Sequence, residues 1–81
     1  MPTVMIDGYR LRFYSSDWLE PPHVHVLRDE HEAKVWLEPV LLQHSHGYTQ
    51  SELNRIMRLI YRNRVRLLEV WYEYFGRSAD Q

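Results

Sequence analysis

Apolar residues recur at every second position in the first half of the chain and at every third or fourth position after about residue 49. This change of period indicates an α+β fold. Through the first half, apolar and polar residues alternate, as they do on strands with one buried face. Asp7-Gly8 interrupts the alternation and is typical of a two-residue hairpin turn, because both central residues of that turn need a positive φ. We therefore expect strands over about 3–6 and 9–15.

A second hairpin is expected over residues 23–28 and 32–38. With a two-residue turn near residues 29 and 30, four pairs lie opposite one another: Val24 and Val35, Val26 and Ala33, His25 and Lys34, and His23 and Trp36. A slip of one residue would move the apolar set to the wrong face. Pro39 ends the last strand, so the sequence predicts a four-stranded antiparallel meander.

The second half carries the pattern of one C-terminal helix over about 50–75, which covers one face of the sheet. Thr49 and Glu52 form a capping box, and the apolar residues that follow keep a helical period. Arg64 falls inside the apolar stripe, so either the helix kinks near Asn63 or Arg64 is buried and paired. The candidate partners are Glu20, Glu38 and Glu69. A helix of this length, about 39 Å, is longer than a four-stranded sheet of short strands would cover. A second subunit could cover the rest of its apolar face, so a homodimer is one alternative.

Length and composition set the class of protein. A chain of 81 residues is expected to form a single domain over 1–81 with a modest core. It has no cysteine, which excludes disulfides and thiolate sites. No apolar run approaches the roughly 20 residues of a spanning helix, and Met1-Pro2-Thr3-Val4 lacks a signal-peptide pattern. We therefore expect a cytoplasmic protein without membrane contact.

Histidines provide the first candidate site. His23 and His25 are two apart on a strand and so share a face, where they can bind one metal ion or act as an acid and a base. His44 and His46 follow the last predicted strand and would lie at the same end of the sheet. Zinc accepts four nitrogen ligands, or three and a water, so a zinc site of His23 and His25 with His44 or His46 is one alternative. Solvent-exposed histidines without a ligand are the other.

The outer face of the sheet provides the second candidate site. It is expected to carry basic, aromatic and imidazole side chains that suit nucleic-acid binding: Arg10, Arg12, Tyr14, His23, His25, Lys34 and Trp36. A metal-independent endoribonuclease would use His23 and His25 as acid and base and Arg12 to stabilise the oxyanion. The remaining alternatives are a half-exposed sheet face and a dimer interface through Tyr14 and Trp36.

The predicted helix carries the third candidate site. Five arginines and no acidic residue lie between Leu53 and Leu68. Four of them line the side opposite the apolar stripe: Arg55, Arg58, Arg62 and Arg66. Such a stripe suits a nucleic-acid backbone or an acidic partner, and it is also common on helix faces that only contact water.

Two stretches are distinctive, Pro21-Pro22-His23-Val24-His25-Val26 and Ala33-Lys34-Val35-Trp36-Leu37. Together with Ile6-Asp7-Gly8-Tyr9-Arg10 and Leu67-Leu68-Glu69-Val70-Trp71, they resemble the small bacterial family catalogued as domain of unknown function 4160. The resemblance runs from Pro2 to about Gly76. The family pattern carries onto these residues: His23, His25, Lys34, Trp36, Asn63, Arg64 and Trp71. His44 departs from the family pattern, which weakens the zinc site with four histidines.

The resemblance implies a small cytosolic bacterial protein, of a family associated with toxin–antitoxin-like gene pairs, and no established reaction. We therefore expect a regulatory or toxin–antitoxin-like protein that binds nucleic acid or a cognate protein partner. The outer sheet face provides the candidate binding residues, with Arg64 added from the helix.

Overall fold

The computed structural model describes residues 2–76 and confirms the α+β class with an antiparallel sheet. The strands are β1 (Thr3–Ile6), β2 (Tyr9–Arg12), β3 (His23–Arg28), β4 (His31–Leu37) and β5 (Val40–His46). A 3-10 helix spans Ser15–Leu19, and two α-helices follow the sheet, α1 (Gln50–Arg62) and α2 (Arg64–Phe75). The strands form one meander in the order β1-β2-β3-β4-β5. Neither α-helix in this range is long and apolar enough to cross a membrane.

Both predicted hairpins are present in the predicted register. Asp7 and Gly8 have φ values of 50° and 84°, and Ile6 pairs with Tyr9 across this turn. All four pairings predicted between β3 and β4 occur. Val24 and Val26 are fully buried, so the apolar set faces the core as alternation requires. The second strand ends at Arg12, earlier than predicted.

The prediction of four strands is wrong, because Pro39 does not end the sheet. Residues 38 and 39 form a turn, and β5 then pairs antiparallel with β4, beginning at Leu37 and Val40. Val35 faces Leu42 and Lys34 faces His44, which leaves Gln43 as an extra residue in a β-bulge. The bulge interrupts the alternation of β5, and an edge strand that is mostly exposed carries no continuous apolar pattern.

The core lies between the inner face of the sheet and the two α-helices. The helices contribute six buried residues: Leu53, Ile56, Leu59, Ile60, Leu67 and Trp71. The ring of Trp71 packs edge-on against Phe13, with centroids 5.9 Å apart. This contact fixes α2 against the connection that leaves β2.

The prediction of one helix over 50–75 is also wrong, because the helix breaks at Asn63. Asn63 has φ −108° and ψ 13°, outside the helical range. Its side-chain amide donates to the carbonyl of Leu59 at 2.8 Å, and its backbone N–H is shared between Leu59 and Ile60. An Asn side chain that bonds to nearby carbonyls competes with the helical ladder, which explains a break without Gly or Pro.

Arg64 is half-buried beside the helix break, and its predicted pairing with Glu20, Glu38 or Glu69 is wrong. Its guanidinium donates to the carbonyl of Tyr61 at 2.7 Å and lies 4.0 Å from the centroid of the Tyr61 ring. No carboxylate of residues 2–76 forms an ion pair with it. The break at Asn63 rotates α2 relative to α1, so the position that a continuous helix would bury lies at the helix junction.

Candidate metal centre on the outer face of the sheet

The 3-10 helix covers part of the outer face, which is the sheet face opposite to the one that Val24 and Val26 bury in the core. It is held at its start by Asp17, whose Oδ2 accepts the backbone N–H of Tyr14 at 2.8 Å. The backbone N–H of Asp17 donates in return to the carbonyl of Tyr14. These bonds direct the Asp17 carboxylate inward over β3, where it is nearly buried.

His23 and His25 project toward this carboxylate from β3. Val24 and Val26 point into the core, so the two histidines point to the outer face, on the side of Lys34 and Trp36. His23 is nevertheless fully buried, because its ring packs between Trp36 and Trp71 at 5.4 and 5.3 Å. The side chain of His25 is 12% exposed.

The three side chains converge on one point. Nε2 of His23 lies 3.2 Å from Oδ1 of Asp17, and Nε2 of His25 lies 3.1 Å from Oδ2. One potential ligand atom from each residue falls within 4.8 Å of the other two. Two ligands of a tetrahedral zinc ion with bonds near 2.0–2.1 Å lie roughly 3.3–3.4 Å apart, so these separations are close to those of a metal site.

The outer nitrogen of the His23 ring is hydrogen-bonded, whereas that of the His25 ring has no hydrogen-bond partner. Nδ1 of His23 lies 2.9 Å from the carbonyl of Pro21, and a carbonyl only accepts, so Nδ1 carries the proton. In the neutral ring, Nε2 of His23 then carries a lone pair that faces the carboxylate of Asp17. This nitrogen is buried and has no hydrogen-bond partner. Nδ1 of His25 lies 3.5 Å from Oε2 of Glu32. Metal-bound histidines typically bond through their second nitrogen to a carbonyl or carboxylate, as His23 does here with Pro21.

Charged and aromatic groups surround the three residues. Lys34 donates to Glu20 and lies 4.9 Å from the centroid of the Trp36 ring. That hydrogen bond lowers the pKa of Glu20 below its usual value. Glu20 also approaches Nε2 of His23, at 3.8 Å. The ring of Tyr14 lies 4.7 Å from that of His25.

The structure does not bring His44 and His46 to this cluster. Both are exposed on β5, opposite Lys34 and Glu32 of β4. His44 is two strands away from His25, which is about 10 Å, and Lys34 lies between them. Two of the four predicted zinc ligands, His23 and His25, are thus together, and the others are apart.

The other predicted binding residues are divided between two surfaces. Arg12 and Lys34 lie on either side of His25, on the neighbouring strands, and Arg10 lies further along β2 on the same outer face. Arg64 lies at the helix junction and takes no part in the cluster. Of the three candidate catalytic residues, His23 is enclosed, so only His25 and Arg12 reach solvent.

Asp17 was missed in the sequence because residues 15–22 have the composition of a loop. Its role depends on the 3-10 helix folding back over β3, which no period in the sequence indicates. One signal was available: an acidic residue in the loop that leads directly into a His-x-His strand.

Comparison with known proteins places the chain in one family. A family model described as a domain of unknown function, DUF4160, matches residues 8–72. The chain therefore belongs to this family. No curated protein and no solved structure matches it significantly.

Proposed function

We propose that this member of the DUF4160 family is a metal-binding protein that holds one divalent transition-metal ion between Asp17, His23 and His25. The observation that carries the proposal is the buried Nε2 atom of His23, which has no hydrogen-bond partner while Nδ1 donates to Pro21. Buried polar atoms without partners are uncommon in folded proteins and need an explanation. A cation bound between this lone pair and Asp17 provides one.

The ligand types indicate which ion fits. Two imidazoles and one carboxylate suit zinc, and they also suit iron, nickel or copper more than magnesium or calcium. Three protein ligands leave a coordination position for water, as in catalytic zinc sites. The carbonyl of Pro21 would hold the ring of His23 in orientation.

A proton is the competing occupant. An imidazolium at His23 would be neutralised by Asp17 without any metal, and the contact between these two side chains would then be an ion pair. The two cases differ in whether Nε2 of His23 carries hydrogen, which can be observed directly.

The experiment combines metal analysis with NMR on protein whose affinity tag has been removed. After chelator treatment and titration with zinc chloride, calorimetry should detect one ion per chain. In the zinc-loaded protein, long-range proton–nitrogen spectra should place hydrogen on Nδ1 of His23 and none on Nε2. Asp17→Asn should lose the binding, whereas the control variant His44→Gln/His46→Gln should keep it.

Two results would overturn the metal site. Zinc binding that survives Asp17→Asn but disappears in His44→Gln/His46→Gln would assign the ion to β5. Absence of binding by zinc, iron, nickel and copper ions, with both nitrogens of His23 protonated, would assign the cluster to a buried imidazolium.

A second candidate function is the binding of nucleic acid or an anionic protein partner across the same outer face. The observation that favours it is the placement of Arg12 and Lys34 on the two strands that flank His25, with Trp36 beside Lys34. Cations next to a half-buried aromatic ring suit a phosphate backbone with stacked bases. A regulatory or toxin–antitoxin-like role would operate through this surface, and a ribonuclease activity would add chemistry at His25 and Arg12.

A further inference from the structure

We propose that β5 and the groove beside it bind an extended acidic segment of a partner protein, which pairs with β5 as a sixth strand. This surface lies on the helix side of the molecule, away from Asp17, His23 and His25. The inference is therefore independent of the metal site.

The strand β5 forms an unpaired edge of the sheet among the described residues. Among residues 2–76, β5 pairs only with β4, which leaves the backbone groups along its other side available. Residues 40–46 include no proline and no Asp, Glu, Lys or Arg. Exposed edges are usually protected by such residues or by being short, and β1, the opposite edge, has only four residues. The bulge at Gln43 leaves residues 40–42 as the regular part of the edge.

An apolar groove lies at the start of β5. Two adjoining depressions of about 340 and 310 Å³ share Val40 and Tyr61 in their walls. Met57 lines one of them, and Val65 lines the other. Tyr61 is 57% exposed and Val65 64%, a large exposure for apolar surface on neighbouring helical turns. In strand addition, backbone bonds supply affinity and alternate side chains enter pockets of this kind.

Arginine side chains border this groove. Arg58 and Arg62 rim the first depression, and neither forms an ion pair with a carboxylate among residues 2–76. Arg64 borders the second depression, where Glu38 is the one acidic residue and accepts a hydrogen bond from Tyr72. A segment that places apolar side chains in the groove and carboxylates on its rim would match both features.

The same charges argue against a second copy of this chain as the occupant. Antiparallel pairing of two β5 strands would bring the arginines that rim both grooves toward one another. Like charges placed opposite one another across an interface are unfavourable and act against that pairing. An acidic segment from a different protein meets no such repulsion.

The test uses a short fluorescein-labelled peptide that alternates glutamate and valine, with fluorescence anisotropy as the readout. Two control peptides carry lysine in place of glutamate, or proline at the centre. The acidic peptide should bind about tenfold more tightly than either control, since one removes the charge match and the other a ladder bond. Amide NMR signals of residues 40–46 should shift on binding.

A matched pair of variants separates the groove from general attraction to arginine. Arg58→Gln/Arg62→Gln should weaken binding about tenfold, the effect of two exposed ion pairs. Arg55→Gln/Arg66→Gln removes the same charge outside the groove and should change binding by less than about threefold. Equal losses in the two variants would overturn the proposal, as would equal binding of the lysine peptide.

Two further outcomes would also overturn it. A concentration-dependent dimer in sedimentation that Val40→Asp abolishes would show that β5 pairs with a second copy of this chain. Displacement of the peptide by a short single-stranded RNA, with the same loss in Arg58→Gln/Arg62→Gln, would assign the arginines to nucleic acid.

Discussion

Nε2 of His23 lies 3.2 Å from Oδ1 of Asp17, although the two residues belong to different elements and only one of them is visible as a site in the sequence. The histidine is placed by strand alternation, and the aspartate by a 3-10 helix that folds back over the strand. Their approach creates the strongest candidate site in residues 2–76 from a pair that no linear motif contains.

Zinc should stabilise the protein against heat, and Asp17→Asn should remove most of that effect. At a zinc concentration about 100 times the Kd, binding stabilises the folded state by about 2.7 kcal/mol. For a domain of this size, that corresponds to a rise in Tm of roughly 10–20 °C. Differential scanning calorimetry of chelator-treated protein, with and without zinc chloride, measures the shift. A wild-type Tm that does not respond to zinc would contradict the metal site.

Arg64→Ala should lower the free energy of unfolding by only about 0.5–1 kcal/mol, and Arg64→Leu by a similar amount. The wild-type guanidinium bonds to one exposed carbonyl and stacks on Tyr61, and each such contact contributes little at the surface. Urea unfolding of the two variants measures the difference. A loss of 3 kcal/mol or more in Arg64→Ala would mean that the residue is buried with a charged partner.

The stability of the fold should decrease in alkaline solution because of Tyr48. Burial, with smaller effects of Tyr9 and Glu52, raises the pKa of Tyr48 to about 12, and its hydroxyl donates to the carbonyl of Val26 at 3.1 Å. In the unfolded chain, the pKa is about 10, so the folded state favours the neutral phenol. The contribution of this group is complete below pH 10 and is lost as the pH rises toward 12.

Tyr48→Phe is the control for this pH dependence, because it cannot ionise. The difference in unfolding free energy between the wild type and Tyr48→Phe should be constant up to about pH 10 and then decline. Urea unfolding at a series of pH values measures it, and ultraviolet absorbance reports the tyrosinate. A difference that stays constant to pH 12 would exclude the raised pKa.

Gly47→Ala should destabilise the fold more than Gly8→Ala, although both glycines have a positive φ. Gly47 has φ 94° and Gly8 has φ 84°, so alanine is strained by about 1 kcal/mol at either position. At Gly47, the added methyl would also collide with the ring of His31, whereas at Gly8 it would meet no atom within 4 Å. Thermal melts of both variants measure the comparison, and equal losses would show that the ring moves aside freely.

Nucleic-acid binding through the outer face, if that second function holds, should weaken steadily with salt. A short single-stranded RNA should bind with a logarithmic salt slope of about −0.7 for each phosphate neutralised. Arg12→Gln/Lys34→Gln should therefore reduce the slope by about 1.4. Fluorescence anisotropy across a salt series measures both. Binding whose affinity does not change with salt concentration would indicate a protein partner instead.

The parts of the fold that follow from local rules were predictable, and those that depend on tertiary contacts were not. The Asp7-Gly8 turn and the matched valines of β3 and β4 fix the register of two hairpins, because a slip would expose the core. β5 was hidden by its bulge and by its exposure at the edge. The break at Asn63 depends on one amide that bonds to Leu59, and an Asn in a helical pattern carries no such signal.

The candidate metal site was likewise predictable from the sequence only in part. His23 and His25 were predictable as a pair because alternation places them on one face. The burial of His23 was not, because it requires Trp36 and Trp71 to close on the ring from different elements. The distance that separates His44 from the pair follows from β5, which the sequence did not reveal.

The order of the strands has a consequence for the speed of folding. Every strand in the sheet pairs with its neighbour along the chain, so three hairpins close over two-residue turns and the fourth over residues 13–22. Relative contact order is therefore low for a protein that contains a sheet, and low contact order is associated with fast folding. The meander can assemble one hairpin at a time from either end, and the two helices can dock on whichever strands have already formed.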